Sequence, residues 1–232
     1  MSEDLRRSML IRLKTYRKAQ CMSQEKFAKS LGVGQTYYSQ VENGEISLSY
    51  HILDGLYSFD CDIDNLVTGT QKLSADGFLT ECIDNTHPAS KMNMYTMIIT
   101  GFLQMWDWDL NNHWEKCLYS ELVSISVLRM MRATFDERLY YLRIVNGMSQ
   151  QELANLLGIG RTKCGKCEQG TKKLDAQLMI YLYKHGYCLP SFFFEEYVGL
   201  KGIATLLEKD RDKQSRFYEY VRCVMNNITN CQ

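Results

Sequence analysis

The sequence predicts an all-α protein: two related five-helix domains, a helical middle region between them and a helical C-terminal extension. Three observations carry this. The stretch Met22 to Gly44, MSQEKFAKSLGVGQTYYSQVENG, returns as Met148 to Gly170, MSQQELANLLGIGRTKCGKCEQG, at an offset of 126 residues with no gap and 10 of 23 positions identical; a fixed-offset match of this kind is an internal repeat. Within each copy, apolar residues recur at helical spacing between serine and glycine punctuation. Of 232 residues, 45% are hydrophobic and only 2 are proline, a composition that favours packed helices over disorder. The expected boundaries are 1–70 and 134–197 for the repeated domains, 71–133 for the middle region and 198–232 for the extension.

Leu5 to Gln20 reads as the first helix, with Met9, Leu13 and Tyr16 on one face. Ser23 and Ser149 stand as N-caps, whose hydroxyls accept from amides of the first turn. Glu152 completes a capping box in the second copy, where the first has Lys26. Phe27, Ala28 and Leu31 form one apolar face, and Leu153, Ala154 and Leu157 its equivalent. Gly32 and Gly158 end these helices, because glycine enters the left-handed region without a Cβ penalty. Val33 and Ile159 then turn back towards the core, and Gly34 and Gly160 start the next helix. In that helix Tyr38 and Val41, three apart, face inward. Gln35, Thr36, Ser39, Gln40 and Asn43 lie opposite, up to Gly44; the second copy presents Arg161, Thr162, Lys163, Lys166 and Gln169. Ser49 is expected to cap a fourth helix with Ile52, Leu53 and Leu56 inward. Asp62 opens a short fifth, with Ile63 and Leu66 inward, that ends at Gly69.

Beyond it, Ser74 to Asn85 reads as a short helix, and the run to Ser90 as a turn, since the residue before Pro88 avoids the helical region. Lys91 to Trp108 is expected to be helical despite Gly101, with a break at Asn111 and Asn112. Trp114 to Arg132 reads as a strongly amphipathic helix, with Leu118, Leu122, Ile125, Leu128 and Met131 near one face. The region is too apolar for a flexible linker and is expected to bridge the domains or form a dimer. The second domain begins near Phe135, with Leu139 and Leu142 in the places of Leu13 and Tyr16. Its fourth helix is Asp175 to Lys184, with Leu178, Met179 and Leu182 inward. Pro190 starts the fifth, with Phe192, Phe193 and Phe194. Gly199 and Gly202 mark a break before helices at Lys201 to Lys209 and Asp212 to Asn227. Phe217, Tyr220, Val221 and Val224 form a stripe on the last helix.

The outward face of each short helix carries the functional reading. Glutamine can contact adenine bidentately in the DNA major groove, and arginine can contact guanine. Both copies resemble the helix-turn-helix of the lambda-repressor/Cro-like, or xenobiotic-response-element, family. The pattern is an arginine (Arg17, Arg143), then Ser-Gln-x-x-(Leu/Phe)-Ala-x-x-Leu-Gly-(Val/Ile), then a short helix closing on Glu42-Asn43-Gly44 or Glu168-Gln169-Gly170. The resemblance covers roughly residues 5–70 and 134–197 and implies a five-helix domain. It implies that Gln24 and Gln150 lie near phosphates. Gln35, Thr36 and Gln40, and their counterparts Arg161, Thr162 and Lys166, would touch bases or sugar-phosphate. Tyr37, Ser39, Asn43, Lys163, Lys172 and Lys173 complete the expected DNA-contacting set. It also implies ion pairs between Arg17 and Glu42 and between Arg143 and Glu168, each 25 residues apart. Gly34 and Gly160 depart from the family, which usually has serine there.

Charge qualifies this reading. The chain has 27 basic and 27 acidic residues, and nonspecific DNA affinity comes mainly from cations on phosphates. The second motif concentrates Arg161, Lys163, Lys166, Lys172 and Lys173. The first has no cation between Gly34 and Gly44, its basic residues lying instead on the leading helix at Arg6, Arg7, Arg12, Lys14, Arg17 and Lys18. The two copies are therefore expected to read DNA unequally.

The remaining features exclude other classes. Nine cysteines at irregular spacing point to a reduced, cytoplasmic compartment rather than a disulfide framework. The most apolar run, Met92 to Trp106, is too short and too interrupted for a membrane span, and the charged N-terminus is not a secretory signal. Cys164 and Cys167 align with inward Tyr38 and Val41, so they read as small buried hydrophobes rather than metal ligands. His113 and Cys117 lack a partner pair, and Trp106, Trp108 and Trp114 read as core or interface. No nucleophile–base pair, phosphate loop or complete metal constellation is visible, so no enzyme activity and no cofactor are expected.

The sequence-level conclusion is a transcriptional regulator, expected to repress, that binds specific double-stranded DNA. The alternative is a protein-interaction module that reuses the fold, as antitoxins or phage inhibitors do. A homodimer through the middle region or the C-terminal helices, and a small-molecule or peptide effector received by the middle region, are the further partners the sequence admits.

Overall fold

The computed structural model describes residues 2–70, 77–130, 134 and 137–230. In order, its α-helices are α1 (Ser2–Ala19), α2 (Gln24–Ser30), α3 (Gln35–Glu42), α4 (Tyr50–Ser58), α5 (Ile63–Thr68), α6 (Gly77–Asp84) and α7 (Lys91–Met105). They continue with α8 (His113–Met130), α9 (Arg138–Val145), α10 (Gln150–Leu157), α11 (Arg161–Glu168), α12 (Ala176–Lys184), α13 (Leu200–Leu207) and α14 (Arg211–Asn230). Short 3₁₀ turns lie at Pro88–Ser90 and Pro190–Phe193, and no strand occurs among the described residues. None of the described helices is long and apolar enough to cross a membrane.

The chain divides into two compact units that interleave along the sequence. One comprises Met1–Lys72 with Ser149–Phe194, the other Leu73–Met148 with Glu195–Gln232. The first unit thus holds α1 to α5 together with α10 to α12. The leading helix of the second copy, α9, belongs to the other unit.

In the first unit the apolar spacing closes a core as expected. Leu13, Phe27, Ala28, Tyr38, Val41, Ile52, Leu53 and Leu56 are buried, and the Phe27 and Tyr38 rings meet edge-on with centroids 5.4 Å apart. Leu153, Ala154, Leu157, Leu178, Met179 and Leu182 are buried in the second copy. The copies join through their ends. α5 packs against the Pro190–Phe193 turn, where the buried Ser191 amide donates to Asp64 Oδ1 at 2.7 Å. α12 lies on α1 and α5, and its first amide, on Ala176, donates to the Leu48 carbonyl at 2.9 Å. Tyr50 of α4 stacks on Phe194 at 4.8 Å and 15°. The fifth segment of one copy therefore meets the fifth segment of the other.

In the second unit α8 packs against α7 and α9, and α14 against α7 and α6. Two glycines allow α13 close to α8: a Cβ on Gly199 or Gly202 would come within 2.5 or 2.6 Å of the Leu122 or Leu118 side chains. Gly101 does the same for α14, its bare Cα facing the Tyr220 ring. The buried Tyr95 hydroxyl donates to the Val198 carbonyl at 2.9 Å, and Arg138 to that of Glu195 at 2.8 Å.

Several elements differ from expectation. α1 begins at Ser2 rather than Leu5, with Asp4 in its first turn, where the helix dipole favours an anion. Ser49 occupies the N-cap of α4, yet its hydroxyl makes no capping bond. α7 ends at Met105 rather than Trp108. α8 is not amphipathic: besides Leu118, Leu122, Ile125 and Leu128, it also buries Ser120, Glu121 and Ser124. The Ser124 hydroxyl satisfies itself on the Ser120 carbonyl at 2.6 Å, which is how a polar residue tolerates a buried helix face. The fifth segment of the second copy is a 3₁₀ turn of 4 residues rather than an α-helix. Only Gly199 marks the break before α13, at φ 80°, while Gly202 lies inside that helix. Ser74, Met131, Arg132 and Phe135 lie outside the described residues.

Candidate nucleic-acid interface

The two motifs are built by the same local bonds. Ser23 Oγ accepts from the Lys26 amide at 3.2 Å. Ser149 Oγ accepts from Glu152 at 3.2 Å, and the Glu152 carboxylate accepts from the Ser149 amide at 2.7 Å. That reciprocal capping box holds the Glu152 carboxyl below its ordinary pKa, through its bonds to Ser149. Gly32 at φ 68° and Gly158 at φ 63° turn the chain, and the next amides, of Val33 and Ile159, close on the Ala28 and Ala154 carbonyls at 3.0 Å. Gly34 and Gly160 are the N-caps of α3 and α11, with no side-chain bond.

A polar cluster under each outward helix fixes its angle. Arg17 grips Glu42 with two bonds, Nε to Oε1 at 2.8 Å and a terminal nitrogen to Oε2 at 3.1 Å. Gln24 Nε2 donates to the same carboxylate at 2.6 Å, and the Tyr38 hydroxyl donates to its Oε1 at 3.3 Å. Burial alone would raise the Glu42 carboxyl. The bonds from Arg17, Gln24 and Tyr38 and the charge of Arg17 outweigh it, and its pKa lies below the ordinary 4.5. Burial, and then the Glu42 charge, push the Tyr38 hydroxyl well up. In the second copy Gln150 Nε2 donates to Glu168 Oε2 at 2.7 Å. Arg143 donates to the Met148 carbonyl at 2.8 Å, as Arg17 does to that of Met22 at 2.8 Å. Arg143 and Glu168 fall in different units.

The expected contact residues divide by exposure. Gln35, Thr36 and Asn43 are exposed on α3, and Tyr37, Ser39 and Gln40 are half-buried. On and after α11, Arg161, Thr162, Lys166, Gln169, Lys172 and Lys173 are exposed and Lys163 is half-buried. Lys173 leans over the Tyr50 ring at 5.8 Å. Gln24 and Gln150 are half-buried and committed to the carboxylates beneath them. Gln150 does more: its Oε1 accepts from Arg161 Nε at 3.1 Å. A relay from Glu168 through Gln150 thus orients the exposed guanidinium at the start of α11.

Sequence reasoning missed that relay, which joins residues 11 and 18 positions apart. It also missed what the leading-helix cations do. Arg6 donates to the Gly44 carbonyl at the end of α3. Arg12 donates to the Leu66 and Val67 carbonyls at 2.9 and 3.2 Å. With Arg17 on Glu42, three of the six basic residues of α1 are turned onto the protein, leaving Arg7, Lys14 and Lys18 exposed.

Residues 13–56 match the helix-turn-helix family model. The matched segment runs from Leu13 in α1 through α2 and α3 to Leu56 in α4, so it covers the Arg17–Glu42 cluster and the whole outward face of α3. The match does not extend to the second copy. No curated protein and no solved structure matches the chain.

Cys164 and Cys167 are buried in the places that Tyr38 and Val41 take in the first copy, and burial raises the Cys167 thiol. His113 is exposed and Cys117 is buried. Among the described residues, no group of three or more His, Cys, Asp or Glu side chains is placed to hold a metal ion.

Proposed function

We propose that the protein is a transcriptional regulator, acting as a repressor, that binds specific double-stranded DNA through α3 and α11. The observation that carries this is the pairing of a matched helix-turn-helix segment with an exposed polar helix face seated on a buried carboxylate. Fixed helix angle and free donor tips are the requirements for reading base edges in the major groove. Gln35, Thr36 and Gln40 would contact bases or backbone from α3, helped by Tyr37, Ser39 and Asn43. Arg161, Thr162 and Lys166 would do so from α11, with Lys163, Lys172 and Lys173 on phosphates. Gln24 and Gln150 act through the helices they brace.

The contact between the two fifth segments supports a chain that is its own dimer. It would offer two reading helices to half-sites about one helical turn, ~34 Å, apart. The test is selection of bound sites from random duplex DNA, followed by a salt titration on the enriched site. Enrichment of a spaced two-part site, with affinity falling steeply as salt rises, is the expected outcome. No enrichment would overturn the reading.

One observation favours the alternative of a protein-binding module: α3 carries no cation, and Arg6, Arg12 and Arg17 are turned inward. In that case the α3 face would contact a protein while α11 alone carried cationic character, and no duplex would be enriched.

A further inference from the structure

The two motifs seat their outward helices alike. Gly34 and Gly160 start α3 and α11 at φ/ψ of −72°/144° and −68°/149°. The Tyr38 and Cys164 amides close on the carbonyls of those glycines, at 3.0 Å in both copies. Beneath the helices, Gln24 Nε2 donates to Glu42 Oε2 at 2.6 Å and Gln150 Nε2 to Glu168 Oε2 at 2.7 Å. Both helices have 8 residues and belong to the same compact unit. Positions 126 residues apart therefore stand at equivalent places on the two helices.

What those places carry differs. The first residue of the helix, exposed in both copies, is Gln35 on α3 and Arg161 on α11. Further along, Gln40 of α3 is matched by Lys166 of α11. A glutamine amide has one donor group and one acceptor, which suit adenine N6 and N7. Arginine has donors only, which suit guanine O6 and N7. Arg161 is prepared for that contact. Its Nε is taken by Gln150 Oε1 at 3.1 Å, which fixes the guanidinium plane and leaves the two terminal nitrogens to meet a pair of acceptors. The same seat thus holds an adenine reader in one copy and a guanine reader in the other.

We propose that the DNA site of this protein is not a palindrome. Its two halves differ, with an adenine facing Gln35 and a guanine facing Arg161 at the corresponding base pair. The inference rests on the DNA reading above and goes beyond it. A dimer of identical subunits needs like halves, because the symmetry of the site mirrors that of the protein. One chain with two unlike readers needs unlike halves, and a symmetric site gives one of its helices the wrong base.

The test is selection of bound sites from random duplex DNA with the full-length wild type, Gln35→Arg and Arg161→Gln. Each substitution gives one helix the residue that the other already carries at the same exposed position, a setting the fold accepts. The wild type is expected to enrich a site of two unlike halves. Gln35→Arg should change the adenine of one half to guanine, and Arg161→Gln the guanine of the other half to adenine. For the wild type, either base change should weaken binding at least about fivefold, as should a doubled site made from two copies of either half. Enrichment of a site with like halves, equal affinity for a doubled site, or an unaltered base preference in either variant would overturn this proposal and leave the DNA reading standing. No enrichment by the wild type would overturn both.

Discussion

Glu42 concentrates more of the first motif's order than any residue on its surface. Its carboxylate accepts from Arg17, Gln24 and Tyr38, so removing it leaves a largely buried guanidinium without its counter-charge. Glu42→Ala is expected to destabilise the protein by about 3 kcal/mol in urea unfolding at neutral pH, with Glu42→Gln milder because it keeps a hydrogen-bonding side chain. A null effect of both Glu42→Ala and Arg17→Ala would contradict the pairing. The folded carboxyl titrates below the ordinary 4.5, so its contribution is complete above that value and drains as pH falls through the lower folded value. The stability gap between wild type and Glu42→Gln should therefore narrow on acidification below about pH 4.5, and a gap independent of pH would sink this account. Gln150 gives a second test at this scale. Gln150 is half-buried and orients Arg161, so Gln150→Ala should weaken binding to a selected DNA site several-fold. An unchanged affinity would mean the relay is idle.

The helix-turn-helix elements were legible because their punctuation is local. Serine caps, helix-ending glycines and inward pairs are each fixed by residues within four positions, and each appears twice. Two glycines of one turn separate conformation from mere space. Gly158 lies at φ 63° with open surroundings, so Gly158→Ala should cost about 1 kcal/mol of backbone strain. Gly160 lies at φ −68° as an N-cap, so Gly160→Ser should stabilise by a few tenths of a kcal/mol, or about 0.3. Thermal melts showing the same sign for both would contradict the assigned turn. What was not legible depends on distant partners. α8 was misread because Ser120, Glu121 and Ser124 look like a solvent face in sequence but are enclosed by α7 and α9. Phe192, Phe193 and Phe194 after Pro190 read as an α-helix, whereas only Pro190–Phe193 form a 3₁₀ turn, within which the Ser191 amide donates to Asp64. Gly101 looked like a flaw in α7 and is a seat for Tyr220. Gly101→Val should destabilise by about 1–3 kcal/mol through overpacking, and a neutral result would mean that α14 does not rest there.

At the scale of the molecule, the repeat announced two copies, while their junction was hidden in pairings more than 100 residues apart, such as Asp64 with Ser191 and Tyr50 with Phe194. The exposed face was legible from helical spacing, but the inward commitment of Arg6 and Arg12 was not, because carbonyl partners leave no mark in sequence. Zero net charge and the engagement of these half-buried cations with carbonyls predict weak nonspecific DNA binding, towards the ~10⁻⁴ M end of the usual range at physiological salt. In the proposed function specificity comes from α3 and α11 together. The measurement that tests this most directly is fluorescence anisotropy of the full chain on its best site selected from random duplexes, compared with Gln35→Ala, Arg161→Ala and the double variant. The account predicts one chain per two-part site, relaxed base preference for Arg161→Ala, and a loss of about 100-fold for the double variant. Wild-type affinity and selectivity in both single variants and in the double variant would contradict it.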